Sequence, residues 1–184
     1  MAALFADWNA VAALLDIGCD PLAIQKQGFT IPIYATYTGR HDTIRNWGLR
    51  FPNYDWGTST HGLGMTALAT ALQVGPNKRL TIEALVEAGV DVADQKYWMN
   101  TGSHPLIQCA ANMDIDADIV RFLLTLPGIR QLVNQPMLPR TRSWKIKYFF
   151  ARLLVKMGSK KTLLKAVSSW PGQTPLGSAA RQVR

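Results

Sequence analysis

Four short cassettes recur along the chain, and their spacing limits what it can fold into more than any other feature. They read Gly28-Phe29-Thr30-Ile31-Pro32, Gly64-Met65-Thr66-Ala67-Leu68, Gly102-Ser103-His104-Pro105-Leu106 and Gly172-Gln173-Thr174-Pro175-Leu176. Thr30 to Thr66 is 36 residues, Thr66 to His104 is 38, and His104 to Thr174 is 70, about twice that interval. A period in the thirties marks stacked supersecondary units, each too small to bury its apolar face alone. Stacks of this kind offer extended surfaces for binding.

Within a unit, the apolar pattern predicts two antiparallel helices, with an extended finger joining one unit to the next. Val11, Leu14 and Leu15 share a helical face, and Gly18 follows as a left-handed stop. Thr30 opens the second unit with a hydroxyl suited to cap a helix, and Ala35 and Gly39 are small where helices must approach. Ile44 and Trp47 continue it, and a finger with Tyr54, Trp56 and His61 follows. Ala67, Leu68, Ala71 and Leu72 give the first helix of the third unit. Ile82, Leu85 and Val86 give its second, and its finger carries Lys96, Tyr97 and Trp98. The fourth unit opens at His104-Pro105, packs through Cys109, Ala110 and Ala111, and stops at Pro127-Gly128. The units fall near 1–28, 29–63, 64–101 and 102–136, with a divergent basic segment at 137–171 and a partial unit at 172–184. The chain starts near a second helix and stops inside a first one, so its ends are either atypical caps or cuts through a longer array.

Thr174-Pro175-Leu176-Gly177, with Ala179 and Ala180 after it, resembles the Thr-Pro-Leu-His turn of the ankyrin repeat family. Val11 to Asp20 and Ile82 to Asp91 are similar to that family's Val-x-x-Leu-Leu-x-x-Gly-Ala-Asp ending. The resemblance covers most of residues 7–136 and 171–184. No copy keeps the motif histidine after leucine, and His104 stands at the threonine place. The resemblance implies an all-α, ankyrin-type helical solenoid with extended finger loops, a single domain over 1–184. It also implies a protein-binding module.

Charge is divided unevenly. The chain carries 20 Lys and Arg against 12 Asp and Glu, a net of +8. Residues 1–136 hold nine basic and all twelve acidic residues, a net of −3, whereas residues 137–184 hold eleven basic residues and no acid, a net of +11. Trp144 to Met157 reads as a helix with Ile146, Phe149, Phe150, Leu153 and Met157 on one face. Arg140, Arg142, Lys145, Lys147, Arg152, Lys156, Lys160, Lys161 and Lys165 make the segment an uncompensated positive surface. The doubled interval allows a degenerate unit or an insertion into a finger, and the helix–turn–helix order favours the degenerate unit.

Two binding readings follow. In the first, fingers and first helices form a concave surface for another protein, with Tyr54, Trp56, Lys96, Tyr97 and Trp98 as contacts, because large rigid rings dominate binding energy. In the second, the cations of 137–171 bind an acidic protein or a polyanion, either nucleic acid or an anionic membrane. Catalysis is not expected. His41, His61 and His104 lack metal-ligand spacing, and Asp114, Asp116 and Asp118 alternate like a calcium loop but meet Ile119 where that loop needs glycine. No cofactor, metal or small-molecule substrate is expected. Cys19 and Cys109 are too few for a disulfide framework and read as buried thiols in an intracellular protein. No apolar run approaches the roughly 20 residues of a membrane span.

Overall fold

A computed structural model of the chain describes residues 7–26, 28–60, 64–112 and 116–182. These residues form ten α-helices and two short 3-10 turns, and contain no strand. In chain order the helices are α1 (Trp8–Asp16), α2 (Ile31–Tyr37), α3 (His41–Arg50), α4 (Ala67–Gln73), α5 (Lys78–Glu87), α6 (Pro105–Ala111), α7 (Ala117–Thr125), α8 (Arg142–Lys156), α9 (Thr162–Ser169) and α10 (Pro175–Gln182). None among the described residues is long and apolar enough to cross a membrane.

The cassette threonines start helices as their chemistry dictates. Thr30, Thr66 and Thr174 accept hydrogen bonds through Oγ1 from the N–H groups of Ile33, Ala69 and Gly177, at 3.5, 3.2 and 3.3 Å. Gly18 ends α1 at φ +93°, in the left-handed region predicted for it.

Packing sorts these helices into two rows. The first helices touch in the order α2, α4, α6, α10, and the second helices in the order α1, α3, α5, α7. Each first helix also packs on its own second helix, as α2 on α3, α4 on α5 and α6 on α7. One continuous core runs between the rows from Val11 through Ile44, Trp47, Leu68, Leu72, Ile82 and Leu85 to Leu123 and Leu132. Gly48 of α3 lies against Ala88 at the end of α5. A Cβ there would fall 2.7 Å from the Ala88 methyl, so glycine is what lets α3 and α5 close. Surface pairs stitch the second row together. Arg50 meets Asp16 at 2.7 Å, Arg45 meets Glu87, and Arg79 lies over the Phe122 ring. Exposed ion pairs contribute little net stability, so the core holds the rows and these pairs set their alignment.

The fingers close in one recurring way. Just before each threonine cap, a backbone carbonyl accepts from the residue that leaves on the finger: Gln25 N–H to Phe29 O at 2.9 Å, Thr60 N–H to Met65 O at 2.9 Å, and Met137 N–H to Gln173 O at 2.7 Å. The cassette glycine often answers with its own N–H, from Gly28 to Gln25 O at 2.8 Å, from Gly102 to Met99 O at 2.9 Å and from Gly172 to Met137 O at 2.8 Å. Those glycines sit at φ +88°, +87° and +88°, a conformation that costs other residues strain.

This closure corrects the favoured placement of residues 137–171. They are not a degenerate unit in the stack, because α10 packs directly on α6 while α8 and α9 pack chiefly on each other. The chain leaves the fourth finger at Met137 and re-enters at Gly172, and both ends are tied by the same two hydrogen bonds that close a short finger. The doubled interval is therefore one period plus a helical hairpin at a finger tip. A small separate cluster of Ile107, Met137, Trp144 and Tyr148, flanked by Val167 and Trp170, seats the hairpin. Tyr148 fixes it by donating its hydroxyl to Thr101 O at 3.1 Å, and burial pushes its phenol pKa up.

Replacing residues 138–171 by the dipeptide of Lys26 and Gln27 rebuilds the spacing of the first finger. The shortened protein is expected to keep a cooperative, fully helical unfolding transition, followed by far-ultraviolet circular dichroism during urea titration. Loss of cooperativity would mean that the hairpin belongs to the stack.

Candidate interaction surfaces

The finger aromatics turn inward. Trp56 and Trp98 are both 4% exposed, so neither offers a ring to a partner. Trp56 meets Tyr54 edge-on at 5.1 Å, and Tyr54 meets Trp47 edge-on at 5.7 Å. The Tyr54 hydroxyl donates to Thr30 Oγ1 at 3.1 Å, and burial raises its pKa. Trp98 packs on His104 and donates its indole N–H to Val92 O at 3.2 Å. These rings roof the helix ends of their own and neighbouring units, the larger apolar gain for groups of 150–250 Å².

Tyr97 is half-buried against the core, while Lys96 stays exposed. Lys96 Nζ lies 3.0 Å from Asp55 Oδ1 and so joins the third finger to the second. Burial pushes the Asp55 carboxyl up, but the Lys96 ammonium and the Gly57 N–H outweigh it and hold the group below its ordinary value. The five predicted partner contacts are thus engaged within the fold, Tyr54 and Trp56 inside their own unit and Lys96 and Trp98 against a neighbouring one. Aromatic content alone could not separate strut from contact.

His104 does half of a threonine's work. It makes no cap bond, but its Nε2 lies 3.0 Å from Gln135 O in the next finger. Thr66 Oγ1 reaches Tyr97 O over the same 31-residue separation. Nδ1 of His104 is buried with no hydrogen-bond partner among the described residues. Burial lowers the imidazole pKa from its ordinary 6.5, against a smaller upward pull from Gln135.

The cysteines divide. Cys109 is buried, and desolvation pushes its thiol up to about 12. Cys19 is exposed, contrary to the buried-thiol reading, because the turn at Gly18 carries the chain off the end of α1. Asp116 Oδ1 caps α7 by accepting from the Asp118 N–H at 2.9 Å, and Asp118 pairs with Arg121 at 2.6 Å. His61 and Asp114 lie outside the described residues.

Two surfaces combine apolar with polar or charged groups in a form suited to a partner. The first is a hollow of about 320 Å³ on the first-helix row. Met99, Ile107, Met137 and Trp170 give it an apolar floor, and Gln73, Thr101, Gln173 and Ser178 a polar margin. Thr101 Oγ1 is buried there without a partner among the described residues. Trp170 comes from the hairpin, so the hollow is shared between row and insertion. It was not legible beforehand because its walls come from residues about 100 positions apart.

The second surface is the hairpin. Of its nine cations, Arg140 and Arg152 are spent on structure. Arg140 donates to the carbonyls of Gln95, Lys96 and Trp98 at 2.8, 2.7 and 2.8 Å. Arg152 donates to Ser168 O and Pro171 O at 3.2 and 3.3 Å and clips α8 to the end of α9. Lys147 rests 4.5 Å above the Trp144 ring. Arg142, Lys145, Lys156, Lys160, Lys161 and Lys165 are exposed, and none forms an ion pair with a described residue.

No protein-family model matches this chain, and no curated protein matches it.

Trp98→Ala is expected to destabilise the fold by about 3–5 kcal/mol, measured by urea unfolding, as for a buried ring removed from a packed core. A loss under about 1 kcal/mol would return the ring to the surface. His104 supplies a pH test. The unfolded imidazole takes a proton near 6.5, the folded one only at lower pH. In that window the unfolded state holds more protons, so stability falls as pH drops below about 6.5. His104→Gln keeps a donor for Gln135 O but does not titrate. Its melting temperature should fall less than the wild type's between about pH 7.5 and pH 5; parallel slopes would refute the assignment.

Proposed function

We propose that the two rows are an ankyrin-like solenoid and that the protein recognises an extended segment of another protein in the hollow on its first-helix row. Support for the architecture comes from the two rows, the threonine caps and the fingers closed before each cap. The observation that carries the function is the hollow itself. It spans α4, α6, α10 and the hairpin, with an apolar floor, a polar margin and an unclaimed hydroxyl at Thr101. Apolar pockets with a few convergent polar groups are the usual form of a recognition site. Fingers enter this reading as walls of the hollow and not through their aromatic rings. No chemistry is assigned, and the constellation contains no nucleophile–base pair.

The test is selection of linear peptides from a random display library on the full-length protein. Enriched peptides should lose at least about ten-fold in affinity, or 1.4 kcal/mol, against Ala111→Trp. Ala111 lines the hollow and is exposed, so the indole fills the site without entering the core. Absence of enrichment, or peptides indifferent to Ala111→Trp, would sink the proposal.

A further inference from the structure

Helix α8 is apolar on two opposite faces, and the larger one points outward. Trp144, Tyr148 and Ala151, at i, i+4 and i+7, are buried against the protein. Ile146, Phe149, Phe150, Leu153 and Met157 lie on the other side, with Phe149 63% and Met157 74% exposed. Leu163 of α9 is also 73% exposed. Such a concentration of large apolar side chains in one hairpin is unlike the scattered single residues of an ordinary surface. The helix cannot roll to hide them. Tyr148 is bonded to Thr101 O, and Arg152 holds α8 to the carbonyls of Ser168 and Pro171.

The rim of this patch is basic. Lys145 and Lys156 follow the edge of the apolar face by helical spacing, and Lys160 and Lys161 cluster at the hairpin bend. Residues 137–184 contain no acidic side chain. An apolar stripe flanked by unpaired cations, on a helix fixed along its inner face and carried at the tip of a finger, has the form of an interfacial helix. A nucleic-acid duplex would satisfy the cations but leave the apolar centre in water, since phosphate contacts are polar.

We propose that the α8–α9 hairpin docks this protein on an anionic lipid membrane. Helix α8 lies in the plane of the interface, the side chains of Ile146, Phe149, Phe150, Leu153 and Met157 enter the acyl boundary, and the lysines meet headgroup phosphates. The proposal goes beyond peptide recognition and does not depend on it.

Full-length protein is incubated with vesicles of phosphatidylcholine containing about 30% phosphatidylserine, and with pure phosphatidylcholine vesicles, then sedimented at about 100 mM salt. Binding to the anionic vesicles is expected, with at least about ten-fold weaker partitioning to the neutral ones. Phe149→Ser with Phe150→Ser, and separately Lys156→Glu with Lys160→Glu and Lys161→Glu, should each reduce partitioning at least about ten-fold. All five side chains are exposed, so both variants should keep the wild-type helical spectrum and urea midpoint. If the phenylalanine variant fails to fold, Phe149→Gln alone takes its place; if the lysine variant does, Lys160→Gln with Lys161→Gln and a salt series on the wild type replace it.

Several outcomes overturn the idea. Wild-type protein could stay in the supernatant with anionic vesicles. The phenylalanine variant could bind as well as wild type. A 20-base-pair duplex could bind more tightly than vesicles of equal phosphate content. Finally, sedimentation velocity could show a wild-type dimer that the phenylalanine variant abolishes, which would make the face a self-interface.

Discussion

Helices of seven residues, such as α2, α4 and α6, are too short to persist in water on their own. Nucleation fixes several dihedral angles for a single hydrogen bond, and isolated helices below about 12 residues are marginal even in favourable sequences. Each of these helices therefore exists because it lies between two others. The whole protein depends on that mutual burial. The threonine caps and the finger bonds matter because they hold short helices at the spacing where side chains such as Leu68, Leu72, Ile82 and Leu85 can all become fully buried.

Much of this arrangement could be read in the sequence. The cassettes gave the helix starts, since Thr30, Thr66 and Thr174 cap as their chemistry requires, and Gly18 stopped α1 where expected. The site was far less legible. Tyr54, Trp56 and Trp98 carry the composition of a binding hot spot, but the same rings are the best available cover for exposed helix ends, and burial won. In α8, apolar residues satisfy helical spacing on both sides. Periodicity reports that a face exists and is silent about which face docks. The inward choice fell to Trp144 and Tyr148 because Tyr148 finds a carbonyl at Thr101 and Trp144 a niche beside Ile107 and Met137.

The interval of 70 residues misled for a related reason. Counting residues along the chain cannot distinguish another stacked unit from an excursion that returns to its starting point. Only contacts separate the two, and the contact of α10 with α6 does so. The cations of the segment likewise divide by geometry and not by type. Arg140 reaches three carbonyls through Nη1 and Arg152 two through Nε and Nη2, while Arg142 and the lysines stay at the surface.

At the neck of the hairpin, Met137 pairs with Gly172 and Gln173, so chain entry and exit coincide. The rows consequently have no stake in how long the excursion is. Turns could be added to α8 and α9, or taken away, without shifting the register between α6 and α10. Reach away from the stack and order within it are thus separately adjustable quantities in this molecule, and the peripheral element can change its target while the rows keep their shape.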